Sequence, residues 1–286
     1  MAQLLLNGVV SGLLLALPSL ALALTFSVLR FANYAIGSTL TVGAYFAYYF
    51  NVGFGWPLPI ATAVGALLVA VLALGLQFVV YRPLRDRTGV TLLVASMGVS
   101  LALENAIRFF AGNSPRGYAV EIARPLRWAG LRVNHEQLTI LITVLSALAL
   151  VWIVFRHTAL GRSMRAVADN PDLAAVRGIP RDKVVAMVWL IASVITTVAG
   201  VLIGLDANLD PQMGWSYLLP IFTATILGGI ASPTAAVAGA LTLGIAEELA
   251  TLVLPPHYRA IIAFALMALL LLVRPSGLFG AKWVDK

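Results

Sequence analysis

Very few residues in this chain have side chains suited to anything but packing. Glu104 and Arg108 stand four residues apart within an apolar run, the spacing at which an acid and a base share one helix face and pair. They read either as an ion pair near the end of that helix or, for Glu104, as part of a substrate path, because a charge placed in hydrocarbon normally faces a bundle interior or a water-filled route. Glu247 and Glu248 are adjacent in another apolar run and so lie on different faces. At least one must face protein or water, and Glu104 or Glu247 is the carboxylate that an ion-coupled carrier would use. Asn33, Gly37 and the hydroxyls of Ser38, Thr39 and Thr41 form a polar entrance to a further run, with Asn33 read either as a helix cap or as a ligand-holding amide. Asp206, Asn208 and Asp210 supply oxygen atoms just before Pro211, yet they lack the glycine turn and later glutamate of a calcium loop and read as a solvated turn.

Other chemistries have no constellation here. The three histidines, His135, His157 and His257, are far apart and show no HExxH spacing. No G-x-S-x-G elbow and no GxxxxGK[ST] phosphate loop occurs, so the chain has no visible means of hydrolysing ATP and lacks the nucleophile and base of a hydrolase. The absence of cysteine excludes a disulfide framework, a thiolate metal site and a cysteine nucleophile. No metal site and no cofactor of its own is expected.

The longest polar passage runs from Arg156 to Lys183 and is punctuated like folded structure. A first short helix is expected over about 160–168, with Leu160, Met164 and Val167 on one face and Arg162 and Arg165 mostly on the other. A second follows Asp169, with Asn170 as N-cap and Pro171 at the first helical position, where no N–H is needed. Asp172 then meets the positive end of the helix dipole and Arg177 the negative end. Gly178 can take the left-handed C-cap conformation, and Pro180 stops the helix. Leu173 and Val176 form its small apolar face.

These groups are set in a matrix that belongs in lipid. The chain has 286 residues, 60% hydrophobic and only 11% charged, with a mean hydropathy of +0.94, whereas about a quarter of a soluble domain is charged. Apolar runs near 4–29, 35–53, 58–81, 91–111, 137–155, 184–205, 217–231, 234–254 and 258–273 predict an all-α polytopic membrane protein, a single domain of about eight to nine transmembrane helices. The run at 217–231 is short, begins with Pro220 and ends in Gly228-Gly229, which suggests a broken or re-entrant helix. The first run lacks a basic leader and is too long for a signal-peptide core, so it is expected to stay as a span. Alternate threading puts 13 of the 19 Lys and Arg residues on one side, Arg30, Arg82, Arg85, Arg87, the 156–183 loop and the C-terminal tail among them. By the positive-inside rule that side is cytoplasmic and the N-terminus external. The +7 net charge is explained by this clustering and does not point to nucleic acid. An external loop over 112–136 is long enough for a small cap. The small-residue pairs Gly8/Gly12, Gly200/Gly204 and Ala235/Gly239 predict close helix packing.

Four segments together resemble one known family along nearly the whole chain: VLRFANYAIGSTLTVG (Val28 to Gly43), YRPLR (Tyr81 to Arg85) with the span after it, LGRSMRAVADNPDLAAVRGI (Leu160 to Ile179), and Ile226 to Ala231 with VRPSGLF (Val273 to Phe279). They are similar to the membrane permease subunit of bacterial ATP-binding-cassette (ABC) importers for branched-chain amino acids, the LivH type, whose relatives include urea and short-amide permeases. The segment from Leu160 is the most specific of the four. Ile36 stands where that family often has histidine, and Ser232-Pro233-Thr234 replaces a glycine-containing turn. The resemblance implies an ABC importer permease fold in the bacterial inner membrane and a second permease subunit, expected as a heterodimer. It also implies two cytoplasmic ATPases holding ATP and Mg, and a periplasmic binding protein that delivers substrate. It further implies that the 156–183 loop couples to the ATPases through Arg162, Arg165, Asp169, Asn170, Pro171, Leu173, Val176, Arg177 and Gly178. Asn33, Gly37, Glu104, Gly228, Gly229 and Glu247 are the expected substrate-path residues.

Overall fold

The computed structural model describes residues 1–85, 87–120, 126–128, 131–253, 255, 258–274 and 277–279. Arg124, His257, Pro275, Ser276, Lys282 and Lys286, which entered the sequence reading, lie outside the described residues.

Every expected apolar run forms a helix. They are α1 (Ala2–Leu29), α2 (Ala35–Tyr48, extended by a π turn over Tyr49–Gly53), α3 (Leu58–Leu76, with a π turn over Gln77–Tyr81 leading to the single-turn α4, Arg82–Leu84), α5 (Gly89–Ala111) and α6 (His135–His157). The polar passage forms α7 (Ala159–Asp169) and α8 (Pro171–Val176), and α9 (Arg181–Ala207), α10 (Met213–Gly228), α11 (Pro233–Ala250) and α12 (Arg259–Val273) complete the bundle. Five of these stretches are long and apolar enough to cross a membrane on their own: Ala2–Leu29, Leu58–Leu84, Gly89–Ala111, His135–His157 and Arg181–Ala207. α10 and α11 meet at 117°, so the expected break falls at Gly229–Ser232. Pro220 does not open α10. The helix begins at Met213 and passes through the proline at the start of its third turn.

The strand pair Leu126–Trp128 and Leu131–Val133 is antiparallel, with Arg127 opposite Arg132. The loop over 112–136 thus carries a two-stranded antiparallel pair. It is tied to the start of α1, where Gln3 Nε2 donates to Arg132 O and Arg132 N donates to Gln3 Oε1, both at 3.0 Å. At the same end Ala119 N donates to Asn51 Oδ1 (2.8 Å), and Arg116 and Leu209 exchange backbone hydrogen bonds.

The opposite end collects the basic groups. Arg30 donates to Ala168 O, Arg82 and Arg85 pair with Asp182, and Leu278 N donates to Leu227 O at 2.8 Å. The first set of ties joins the 112–136 loop to α1, Asn51 and Leu209, and the second joins the end of α1, the α3–α5 connection and the 156–183 segment.

Among the five long spans α1 and α9 are the most buried, with 83% and 67% of their most apolar windows buried, against 22% for α5 and 17% for α6. Between helices in lipid there is no hydrophobic drive, so close backbone approach must hold the bundle. The small-residue pairs do this. A Cβ on Gly8 or Gly12 would strike the α11 backbone near Ile245 and Leu241, one on Gly200 would strike Leu40 O, and Gly239 faces Ala224 O. Gly37 and Gly214 meet backbone to backbone where α2 crosses α10, and Thr41 Oγ1 accepts from Gly214 N (3.0 Å) at the same crossing.

Gly214→Val is expected to push α2 and α10 apart and cost about 1–3 kcal/mol, read as a lower midpoint of thermal unfolding in detergent. Gly75→Ala, whose Cβ would meet nothing within 4 Å, is expected to leave that midpoint unchanged.

Candidate functional site

Local chemistry builds the 156–183 segment almost unaided. Thr158 caps α7, its Oγ1 accepting from Gly161 N at 3.2 Å, and residue 161 must be glycine because a Cβ there would enter the Phe155 backbone. Met164 and Val167, each 2% exposed, face a second apolar core with Val28, Val184 and Val188, while Arg162 and Arg165 face outward. Arg165 donates to Phe155 O, and Arg30, at φ 59 as the C-cap of α1, donates to Ala168 O. The last turn of α7 is thereby satisfied by a cation, which also suits the negative end of its dipole.

Asn170 then caps α8, its Oδ1 accepting from Asp172 N (3.1 Å) and Leu173 N (3.0 Å). The other end closes as a Schellman motif: Gly178 N donates to Ala175 O (2.9 Å) and Ile179 N to Ala174 O (3.0 Å), with Gly178 at φ +79. Ala174 is buried, whereas Leu173 and Val176 are 56% and 83% exposed. A rigid helix, closed at both ends, therefore holds two apolar side chains away from the chain's own core. Asp169, Arg162, Arg165 and Arg177 stand exposed around it.

The segment is joined tightly to the bundle. Pro180 is the N-cap of α9, and Asp182 in its first turn pairs with Arg82 (3.2 Å) and Arg85. Both partners are largely exposed, so this clamp contributes at most about 1 kcal/mol. Its value is positional, since it fixes the foot of α9 against the α3–α5 connection. Arg30, Arg82 and Arg85 entered the sequence reading as sidedness markers and within two of the family-like segments, with no contact of their own foreseen. Their only signal was a place at the ends of apolar runs.

The six expected path residues are not gathered into one site. Asn33 is buried, accepts from Ala35 N (3.1 Å), and lines a cavity of ≈20 Å³ with Thr39, Ser193, Thr196 and Trp189, room for about one water. Gly37, Gly228 and Gly229 serve packing: Gly228 lies against the Ala235 backbone, and Gly229 ends α10 at φ 129. Glu104 is 9% exposed and accepts from Arg108 at 2.6 Å. Ser96, Ser100 and Glu104 continue one buried stripe on α5. Ser96 Oγ accepts from Tyr34 N (3.0 Å), and Ser100 Oγ lies 2.5 Å from Ser38 Oγ. Glu247 is buried at 8% near the opposite end of α11, beside Glu248, which accepts from Asn7 Nδ2 at 3.4 Å. A cavity of ≈780 Å³ opens at the basic end between α1, α6, α7 and residues 232–234, and neither it nor the Asn33 cavity reaches both ends. No group of three or more His, Asp or Glu able to hold a metal occurs among the described residues.

Asn170→Ala is expected to cost α8 about 1 kcal/mol, seen as faster amide exchange at Asp172 and Leu173 with no change in α9.

A family model described as "Branched-chain amino acid transport system / permease component" matches residues 4–271. The high-affinity branched-chain amino acid transport system permease protein LivH of Escherichia coli (strain K12) is 30% identical, over 98% of this chain and 96% of its own length. The corresponding BraD of Pseudomonas aeruginosa is 27% identical, over 99% and 97%. Among solved structures, PsaBC from Streptococcus pneumoniae in complex with Fab superposes with a TM-score of 0.52 at 12% identity, covering 94% of this chain and 91% of that one, a likeness of fold alone.

Proposed function

We propose a transport function from one premise: this chain belongs to the branched-chain amino acid transport system permease family. On this reading it is the membrane-spanning permease subunit of an ABC importer that moves branched-chain amino acids delivered by a periplasmic binding protein. ATP and Mg are held by two separate cytoplasmic ATPases, and a second permease of similar type completes a heterodimer. The protein is multi-pass, and the basic end, with the 156–183 segment and the C-terminus, is assigned to the cytoplasm of a bacterial inner membrane because most Lys and Arg residues cluster there.

The observation that carries the reading is the exposed pair Leu173 and Val176 on a helix closed at both ends. Two large apolar side chains held rigidly in water suit a groove on a soluble partner, with Arg162, Arg165 and Arg177 placed for acidic groups at its rim. Pro180 follows within one turn and opens α9, which runs through the centre of the bundle. A push on α8 is therefore delivered to a buried helix and not to a surface one. A permease acting alone on an ion gradient needs an intramembrane carboxylate that can exchange protons or ions. Of the two carboxylates such a carrier would use, Glu104 is held by Arg108, which favours the ATP-driven reading.

Leu173→Asp with Val176→Asp is expected to weaken ATPase binding by about 2 kcal/mol or more, roughly thirtyfold, and to abolish uptake while the permease still inserts. Pull-down with the ATPase subunits and a membrane-fraction assay read the two effects separately, and normal ATPase binding by the double variant would refute the docking assignment. In liposomes the permease pair without ATPases is expected to give no leucine uptake under a proton or sodium gradient. Adding the ATPases, ATP and binding protein is expected to start it. Uptake driven by the gradient alone would instead establish a secondary carrier.

A further inference from the structure

The end opposite the 156–183 segment carries charge that sidedness does not explain. Residues 112–136 hold four arginines, Arg116, Arg124, Arg127 and Arg132, and two acids, Glu121 and Glu136. Lys and Arg are enriched in the short loops on the cytoplasmic side, so on the outer side the same rule works against this surplus. The strand register also sets Arg127 opposite Arg132, and like charges in opposed positions destabilise a strand pair.

Arg132 lines a cavity of ≈530 Å³ whose other lining residues are all amides: Gln3, Asn7, Asn134 and Gln137. Three of the four amide oxygens accept hydrogen bonds from within the lining itself. Gln3 Oε1 accepts from Arg132 N (3.0 Å), Asn7 Oδ1 from Gln3 Nε2 (3.2 Å) and Gln137 Oε1 from Asn134 N (3.2 Å). Donors are left over. The exposed Arg132 guanidinium makes no hydrogen bond or ion pair among the described residues, and the Gln137 amide N–H groups donate to none of them. The carboxylate bonded to this lining, that of Glu248, is 6% exposed and accepts from Asn7 Nδ2 at 3.4 Å. An open guanidinium beside amide donors, with no apolar wall, suits a carboxylate and not a lipid chain.

We propose that this cavity seats an acidic side chain of a soluble protein that docks on the outer face. Charge complementarity selects the occupant: the surplus is spread along the 112–136 loop, which matches an acidic protein surface and not a single small anion. The assignment rests on the reading that a binding protein delivers the substrate, and it names where that protein docks. The seat is joined to the bundle, because Gln3 exchanges hydrogen bonds with the Arg132 backbone from the start of α1, the most buried of the long spans.

The assembled importer in nanodiscs, titrated with the leucine-loaded binding protein of the same system at low and at physiological salt, tests the assignment. Arg132→Glu is expected to weaken binding at low salt about tenfold and to flatten its salt dependence. Its thermal unfolding midpoint is expected to stay unchanged, because Arg132 is tied to α1 through backbone atoms. Replacing one acidic residue on the docking surface of the binding protein by arginine is expected to restore the affinity of Arg132→Glu. If Arg132→Glu does not accumulate, Arg132→Gln decides, with a smaller loss in the same direction. Equal affinity and equal salt dependence in wild type and both variants overturns the docking seat and leaves delivery intact. No binding by the wild type overturns delivery itself, and the seat with it. Binding of free L-leucine by the permease without the binding protein, lost in Arg132→Gln, also overturns the seat, by assigning the cavity to the substrate's own carboxylate.

Discussion

Close approach of helix backbones at small residues is the constraint on which the rest of this structure depends. Lipid tails are as apolar as leucine, so burying leucine between helices does little to choose one arrangement over another. What distinguishes the native arrangement is dispersion across surfaces that can come nearly into backbone contact, and glycine permits this. Gly8, Gly12 and Gly244 set α1 against α11, Gly228 and Gly239 set α10 against α11, and Gly37 with Gly214 sets α2 against α10. Within the bundle α1 is also tied by Ser19, whose Oγ donates to Ile221 O and whose O accepts from Thr225 Oγ1. The buried hydroxyls of Ser38, Ser96, Ser100 and Thr41 add the few directional links, between α2, α5 and α10.

The basic end follows a different logic. Its helices are short and capped, and hydrogen bonds and ion pairs to backbone carbonyls or to Asp182 hold them in place. Arg30 ties the end of α1 to the end of α7, and Arg82 and Arg85 tie the α3–α5 connection to the start of α9. Each tie is weak at a wet surface. Together they make a frame in which α8 projects from a fixed base and not from a loose loop. The same arginines that mark sidedness therefore also join α1 and the α3–α5 connection to α7 and α9.

Sequence and structure agree most closely where the determinants are local. The caps at Asn170 and Gly178, the faces of α7 and the positions of the apolar runs depend on residues within a turn or two of one another, and all were readable in advance. Agreement is weakest for the expected path. Asn33, Gly37, Glu104, Gly228, Gly229 and Glu247 were grouped because each is unusual in an apolar run, yet glycine in such a run has two uses, and here the three glycines are used for packing and helix ending. The convergence of Gln3 and Asn7 with Arg132, Asn134 and Gln137 on one cavity left no trace in the sequence, since 129 positions separate Gln3 from Arg132.

By itself, then, the sequence determined that the chain is helical and membrane-spanning, which end carries the charge, and where a rigid polar segment interrupts the spans. Those properties follow from composition, periodicity and capping, all of which act over short distances along the chain. Only the tertiary structure decided that α1 and α9 are the most buried of the long spans, that Pro220 lies within a helix whose break comes at Gly229, that Leu173 and Val176 face outward, and that Arg132 shares a polar cavity with the start of α1. Those depend on how helices cross, and crossing is set by complementary surfaces from distant parts of the chain, which no local pattern encodes.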